Sequence, residues 1–311
     1  MFQRIFCIAA MLANYHCANA ADTIKLAVGS GGNLEAFIAD IGQRGGFFEK
    51  EGLKLDIFYT AGGGETLQAV LSQSAPIGVS LGSSGVFGAY SKGAPLRIIG
   101  ASAIGSPIYW YARPDSPIKT MQDIAGRTMG YSTTGSGSHA VALAVRARGI
   151  DARLVATGNV PATFTQVMTG QIDVGFAYPE FKPEALATGQ VRRLFGDNDF
   201  ERIRNQAIRV IVAHKSTPAD LGQRFMRAYA RSIDWIYSAD PAPLQHYANL
   251  ASVDLATAKK MRDELWSRDI LSVEKVKGVD IIMADAIEGK FISKPLTPAE
   301  LEELIAPMAR P

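Results

Sequence analysis

Along the first two thirds of this 311-residue chain, short apolar runs end in glycine or serine and give way to stretches with apolar residues at helical spacing. Ile24–Val28 runs into Gly29-Ser30-Gly31-Gly32, after which Asn33 can cap a helix carrying Leu34, Phe37, Ile38 and Ile41 on one face. Leu53–Tyr59 alternates like a second strand, and Gly62-Gly63-Gly64 opens a helix through Leu67, Val70 and Leu71. Ile77–Leu81 is a third strand, ending in Gly82-Ser83-Ser84-Gly85, and Leu96–Ile99 is a fourth. Strands separated by helices call for parallel sheet covered by helices on both faces.

The rhythm then restarts. Thr128–Tyr131 reads as a strand, followed by the loop Ser132–Ser138 and a helix from His139 to about Arg148. Arg153–Ala156 is a strand, Val160–Thr169 a helix, and Asp173–Ala177 a strand that stops at Tyr178-Pro179-Glu180. Val70–Val79 parallels Val167–Phe176, 97 residues later; in each copy a helix end turns directly into a buried strand. Val210–Ala213 is one more strand, and helices broken by Pro241, Pro243, Pro295 and Pro298 complete the chain. Trp235, Tyr237 and Trp266 fall on apolar faces there and read as core or anchoring residues.

Two α/β lobes, each a doubly wound sheet, fit this order, joined by extended crossings near 103–113 and 209–215. Lobe 1 would hold residues 21–110 and 212–311, lobe 2 residues 111–211, with the helical C-terminus returning to lobe 1. The loops after the strands would then line a cleft, which is where open parallel sheets bind ligands.

Residues 1–20 stand outside the pattern. One basic residue at Arg4, an apolar run Ile5–Ala13 and the small-x-small triplet Ala18-Asn19-Ala20 read as a secretory signal peptide cut after Ala20, which would place the protein in the periplasm. Both cysteines, Cys7 and Cys17, precede that cut, so the mature chain is expected to have no disulfide, thiolate nucleophile or cysteine-based metal site. With 32 Lys+Arg against 30 Asp+Glu and no dense basic run, nucleic acid is not an expected partner.

The search for reactive groups returns little. There is no His-Glu-x-x-His, Gly-x-Ser-x-Gly or Walker-type Gly-Lys-Ser/Thr motif, so neither a metal nor any other cofactor is expected, nor an enzyme. What remains is hydroxyl- and glycine-rich loops at strand ends, where glycines admit a ligand to the backbone and a following helix offers unpaired N–H groups. The candidate ligand-binding residues are therefore Ser30, Gly31 and Asn33 after the first strand, and Gly82, Ser83 and Ser84 after the third. In the second half they are Ser132, Thr133, Thr134, Ser136, Gly137 and Ser138, with Asn159 before a helix. Tyr109 at the first crossing and Tyr178 after a strand could stack on an organic ligand, and Glu180 could meet an amine or hydroxyl. These loops carry no Lys or Arg, which favours a small organic anion held by hydroxyls and N–H groups.

Three segments carry a resemblance. Gly46-Phe47-Phe48-Glu49-Lys50-Glu51-Gly52-Leu53, Met121-Gln122-Asp123-Ile124-Ala125-Gly126-Arg127 and Thr169-Gly170-Gln171-Ile172-Asp173-Val174 resemble segments of periplasmic solute-binding proteins of the nitrate, sulfonate and taurine type, a group that also resembles pyrimidine-precursor-binding proteins. The resemblance runs in order from about Ile24 to Leu194, with Pro76 standing where the family commonly has Asp. It implies a type II periplasmic-binding fold and a monomer that hands its ligand to an inner-membrane ABC permease with its ATPase. Ligand loops would begin at Ser30, Ser83, Ser132 and Tyr178. The same fold also suits a pyrimidine-precursor-binding protein, a pyrimidine-synthesis enzyme or the sensing subunit of a membrane receptor.

Overall fold

The computed structural model describes residues 21–273 and 275–305. The expected signal peptide, its cut site and both cysteines lie at or before its first described residue and are not placed by it. Two five-stranded sheets form the frame. The first has the order β2-β1-β3-β10-β4, from β1 (Asp22–Gly29), β2 (Leu53–Thr60), β3 (Ile77–Gly82), β4 (Leu96–Ala103) and β10 (Arg209–His214). The second has the order β7-β6-β8-β5-β9, from β5 (Tyr109–Ala112), β6 (Thr128–Tyr131), β7 (Arg153–Ala156), β8 (Val174–Ala177) and β9 (Arg192–Gly196).

Helices fill the connections. In the first lobe these are α1 (Leu34–Arg44), α2 (Phe47–Lys50), α3 (Gly63–Leu71) and α4 (Ser83–Ser91). In the second they are α5 (Gly137–Ala147), α6 (Val160–Met168) and α7 (Pro183–Ala187), with α8 (Glu201–Arg204) on the way back. The C-terminal helices are α9 (Ala219–Ile236), α10 (Ala242–Ala251), α11 (Leu255–Leu265), α12 (Val279–Glu288) and α13 (Pro298–Leu304). Asn33 starts α1 as expected, accepting from Ala36 N at 3.1 Å, and buries Leu34, Phe37, Ile38 and Ile41 against the sheet. α9 packs on α1 and α2, where Phe225 meets Phe48 with ring centroids 5.5 Å apart. Among the described residues no helix is long and apolar enough to cross a membrane.

The expected two-lobe fold is the observed one, but its sheets are mixed rather than all parallel. β2, β1 and β3 run parallel, as do β7, β6 and β8. β10 is antiparallel to β3 and β4, and β5 to β8 and β9. The crossings impose this. β4 ends at the cleft, since Ala103 and Gly82 both lie opposite Arg209. A chain that leaves one lobe at the cleft enters the other at the cleft and can only run away from it. β5 therefore starts at Tyr109 opposite the end of β8 at Ala177, and β10 starts at Arg209.

The segments expected as crossings thus contain strands: 103–113 holds β5, and 209–215 holds β10. Divisions at 110/111 and 211/212 fall inside those strands, and the chain changes sheets at 104–108 and 197–208. β5 reads poorly because it is four residues long between Pro107 and Pro114, and β9 because it opens with Arg192 and Arg193.

The duplication is deeper than the ten residues that revealed it. α3 and α6 begin 97 residues apart, at Gly63 and Val160, and β3 and β8 do so at Ile77 and Val174. Thr60 Oγ1 lies 2.8 Å from Thr66 Oγ1, and Thr157 Oγ1 lies 2.6 Å from Thr163 Oγ1 at the same offset. Thr66 and Thr163 each donate to the carbonyl four residues earlier, Gly62 O and Asn159 O, so one hydrogen-bonded hinge from strand to helix is built twice.

Trp110 anchors the second sheet. It is fully buried, stacks on Phe195 at 5.7 Å and 12°, and donates its indole N–H to Asp197 at 2.8 Å. Trp110→Phe keeps the stacking ring but strips that donor, so the urea midpoint should fall by the equivalent of about 1–3 kcal/mol; an unchanged midpoint would mean the bond contributes nothing.

Candidate functional site: the interlobe cleft

Because β1, β3, β4, β6, β8 and β9 end at one edge and β5 and β10 begin there, their terminal residues converge between the sheets. A narrow space lies there. Gly29, Ser30, Gly63 and Ser80 line it from the first lobe, and Ser132, Ser136, Gly137, Ser138, Phe176 and Tyr178 from the second. Ile108 and Arg209 enter from the two crossings.

Arg209 is the only cation among the lining residues, and it is 3 % exposed. Its Nε donates to Glu35 Oε2 at 2.7 Å and its Nη1 to Ser106 Oγ at 3.3 Å, while Nη2 is buried with no partner. Glu35, on α1, is held in turn by Ser80 Oγ at 2.7 Å and Ser102 Oγ at 2.8 Å on its Oε1. Burial works against the Arg209 charge, but Glu35, Tyr178 and Asp197 outweigh it and keep the guanidinium protonated. A fixed guanidinium with Nη2 unpartnered beside this cavity has donor capacity left for an acceptor.

Hydroxyls and helix ends complete the polar lining. Ser138 Oγ accepts from Ser132 N at 3.0 Å and lies 3.1 Å from both Ser132 Oγ and Ser136 Oγ. Ser136 also caps α5, accepting from His139 N at 3.2 Å. α3 and α5 both start at this cavity, at Gly63 and Gly137, and so turn the positive ends of their dipoles toward it. Ser30 and Ser80 take left-handed backbone, φ 53° and 64°, a conformation that costs a non-glycine residue on the order of 1–2 kcal/mol. At Ser80 the reward is the hydroxyl contact with Glu35. Tyr178, Phe176 and Ile108 form the apolar wall.

Of the residues expected from sequence, Ser30, Ser132, Ser136, Gly137, Ser138 and Tyr178 come together at the cavity. The others have different work. Asn33 caps α1, and Gly31 packs against the Tyr59 ring. Asn159 caps α6, accepting from Ala162 N at 2.9 Å. Ser83 donates to Ile208 O in the second crossing through both N and Oγ. Ser84 lines a separate groove between α5 and α12. Tyr109 is buried in β5 beside Tyr111, at 5.8 Å, and its phenol is pushed up to about 12 by burial and by Glu184.

Gly82, Thr133 and Thr134 close the cleft instead of lining it. Thr133 Oγ1 accepts from Gly64 N at 3.0 Å across the lobes, and a Cβ on Gly64 would meet Thr134 O at 2.4 Å. A Cβ on Gly82 would meet Gly135 O at 2.0 Å, so glycine there lets the two backbones touch. Glu180 faces the other lobe's helices, not the cavity. His139 stacks on Tyr131 at 4.2 Å and accepts from Gly135 N, and burial holds its imidazole down at about 4.

Arg209, Ser80, Gly63, Ile108 and Phe176 were not expected. The usable signal for Arg209 was a lone cation opening an otherwise apolar run, Ala207-Ile208-Arg209-Val210-Ile211-Val212-Ala213. Its presence adds a cation to a lining expected to hold only hydroxyls and N–H groups.

Two lobes of mixed sheet, crossed twice and enclosing a polar cavity at their strand ends, define a type II periplasmic-binding fold. The chain belongs to the NMT1/THI5-like family, whose model matches residues 38–242. No curated protein matches the sequence. Among solved structures, the alkanesulfonate-binding protein SsuA of Xanthomonas axonopodis pv. citri bound to MOPS is 14% identical with a TM-score of 0.69, over 85% of this chain and 89% of that one. The periplasmic aliphatic sulphonate binding protein SsuA of Escherichia coli is 16% identical with a TM-score of 0.67, over 91% of each. The desulfurization enzyme DSZB is 16% identical with a TM-score of 0.61, over 92% of this chain and 96% of that one. These likenesses establish the fold and agree with the nitrate, sulfonate and taurine resemblance of the sequence motifs.

The crossings also carry a titratable group. Asp197 is buried and accepts from Trp110, with Oδ2 unpartnered, and burial pushes its carboxyl up to about 7. The unfolded chain releases that proton near the ordinary carboxyl value of 3.8, so the folded state binds it more tightly. The resulting stability is complete below 3.8 and is lost as pH rises through about 7. Asp197→Asn should therefore melt higher than wild type at pH 8, with the difference shrinking at pH 5; a pH-independent difference would contradict the buried-acid assignment.

Proposed function

We propose that the protein is the periplasmic substrate-binding component of an ABC importer and that it takes a small organic anion, a sulfonate, taurine-like molecule or aromatic carboxylate, between its lobes. The observation that carries this reading is buried Arg209, its Nη2 unpartnered, lining one cavity with serine hydroxyls, two helix N-termini and an apolar wall. The anion would accept from Nη2, from Ser132, Ser136 or Ser138, and from the first N–H groups of α3 and α5. Its organic part would lie on Tyr178, Phe176 and Ile108.

The lobes divide at 104–108 and 197–208, where the chain changes sheets, and closing about those segments buries the ligand. A cut after Ala20 would deliver a monomer to the periplasm, where the closed form is what an inner-membrane permease and its ATPase would recognise. Binding rather than turnover suits a cavity whose hydroxyls have no free base beside them, since His139 is engaged with Gly135 and Tyr131. Two sulfonate-binding neighbours favour the sulfonate branch.

The test is calorimetry of the chain from Ala21 against methanesulfonate, taurine, benzoate, nitrate and a pyrimidine, repeated with Arg209→Lys. Lysine keeps a charge beside Glu35 but lacks the forked donor edge. A monoanionic sulfonate or carboxylate should bind wild type, be recovered unchanged, and lose affinity about tenfold or more in the variant. Binding of the neutral pyrimidine alone, or equal anion affinity in both proteins, would overturn the reading.

A further inference from the structure

Glu180 follows β8 in the second lobe, yet its carboxylate is buried against helices that belong to the first. Its Oε1 accepts from Leu34 N in the first turn of α1 at 3.4 Å, from Tyr247 Oη of α10 at 3.2 Å, and from the indole N–H of Trp266 just after α11. α10 packs on α1 and α11 on α10, so the three donors form one wall. Oε2 is buried with no partner. Opening the cleft would draw the carboxylate out of this seat and leave three donors behind.

From this seat we infer that Glu180 is a positioning residue that draws the lobes together before any ligand enters, so that affinity at the cavity is set in part from outside it. The inference goes beyond the anion reading and does not depend on it. Thr133 Oγ1 on Gly64 N and the Gly82–Gly135 contact meet on the same closing motion. The groups facing Glu180 are neutral: the Leu34 N–H, Tyr247, Trp266 and, on its own loop, Tyr178. Burial pushes its carboxyl up, against the pull of the hydrogen bonds from Trp266, Leu34 and Tyr247. The closed form therefore holds the proton more tightly than the open form. Closure is strongest below the open-state value and weakens as pH rises through the closed-state value.

A cross-link reads this directly. The chain from Ala21 has no cysteine. A Cβ on Gly62 would lie 3.1 Å from Ser132 Cβ, within a few tenths of an ångström of the ~3.5–4.5 Å that disulfides span. Gly62 has extended backbone, φ 171°, open to any residue. The pair Gly62→Cys/Ser132→Cys should oxidise readily in ligand-free protein, and about tenfold more slowly when Glu180→Ala is added. Glu180→Gln keeps the acceptor and loses the titration, so it should match wild type at pH 5 and cross-link faster than wild type at pH 8. Should Glu180→Ala fail to fold, the Gln comparison decides alone. Equal rates in all backgrounds at both pH values would overturn the latch. No ligand is present, so that failure would leave the anion proposal standing, and an anion panel without binding would leave the latch standing.

Discussion

The ion pair between Arg209 and Glu35 holds the rest of the site in place. Arg209 is the first residue of β10, the strand by which the chain re-enters the first sheet, and Glu35 sits in the first turn of α1, the helix that follows β1. Their contact fixes the second crossing to the opening element of the fold. Burying such a pair is costly, and removing one member alone typically costs about 3–5 kcal/mol because the other charge is left unpaired. Ser80 and Ser102 complete the Glu35 shell and Ser106 takes one guanidinium nitrogen, so a single donor edge is left for something else.

Connectivity explains why the cation is there. Both crossings leave and arrive at the cleft, which forces β5 and β10 to run against their neighbours and puts the first residue of each at the cleft edge. The same rule makes the 132–138 loop face Gly62–Gly64, Gly82 and Gly85, where missing side chains let the backbones meet. The lobes meet backbone against backbone beside the cavity, and Glu180 is seated on helices of the first lobe.

Much of the fold was legible because parallel units write themselves locally: an apolar run, a glycine turn and an amphipathic helix fall within about thirty residues. The 97-residue repeat added a check, and the Thr60–Thr66 and Thr157–Thr163 pairs bear it out in atomic detail. β5 and β9 were not legible because their burial comes from pairing with each other and with β8, not from their own pattern. The serines of the cavity could be read from the strand-end loops, whereas the lone cation Arg209 in its apolar run could be noticed but not aimed, since its direction depends on which way β10 enters the sheet. Glu180 reads from sequence as a contact for a ligand amine or hydroxyl, but its donors come from residues 34, 247 and 266, far apart in the chain. No local reading assembles them.

The proposed ligand is an organic anion held on Arg209 between the lobes. A crystal structure of the chain from Ala21 grown with methanesulfonate tests it most directly. A sulfonate oxygen should lie within about 3.2 Å of Arg209 Nη2, with others on the Ser132–Ser138 hydroxyls and on N–H groups at the starts of α3 and α5. A sulfonate bound elsewhere while Nη2 stays unmet, or a cleft that remains empty at saturating ligand, would contradict it.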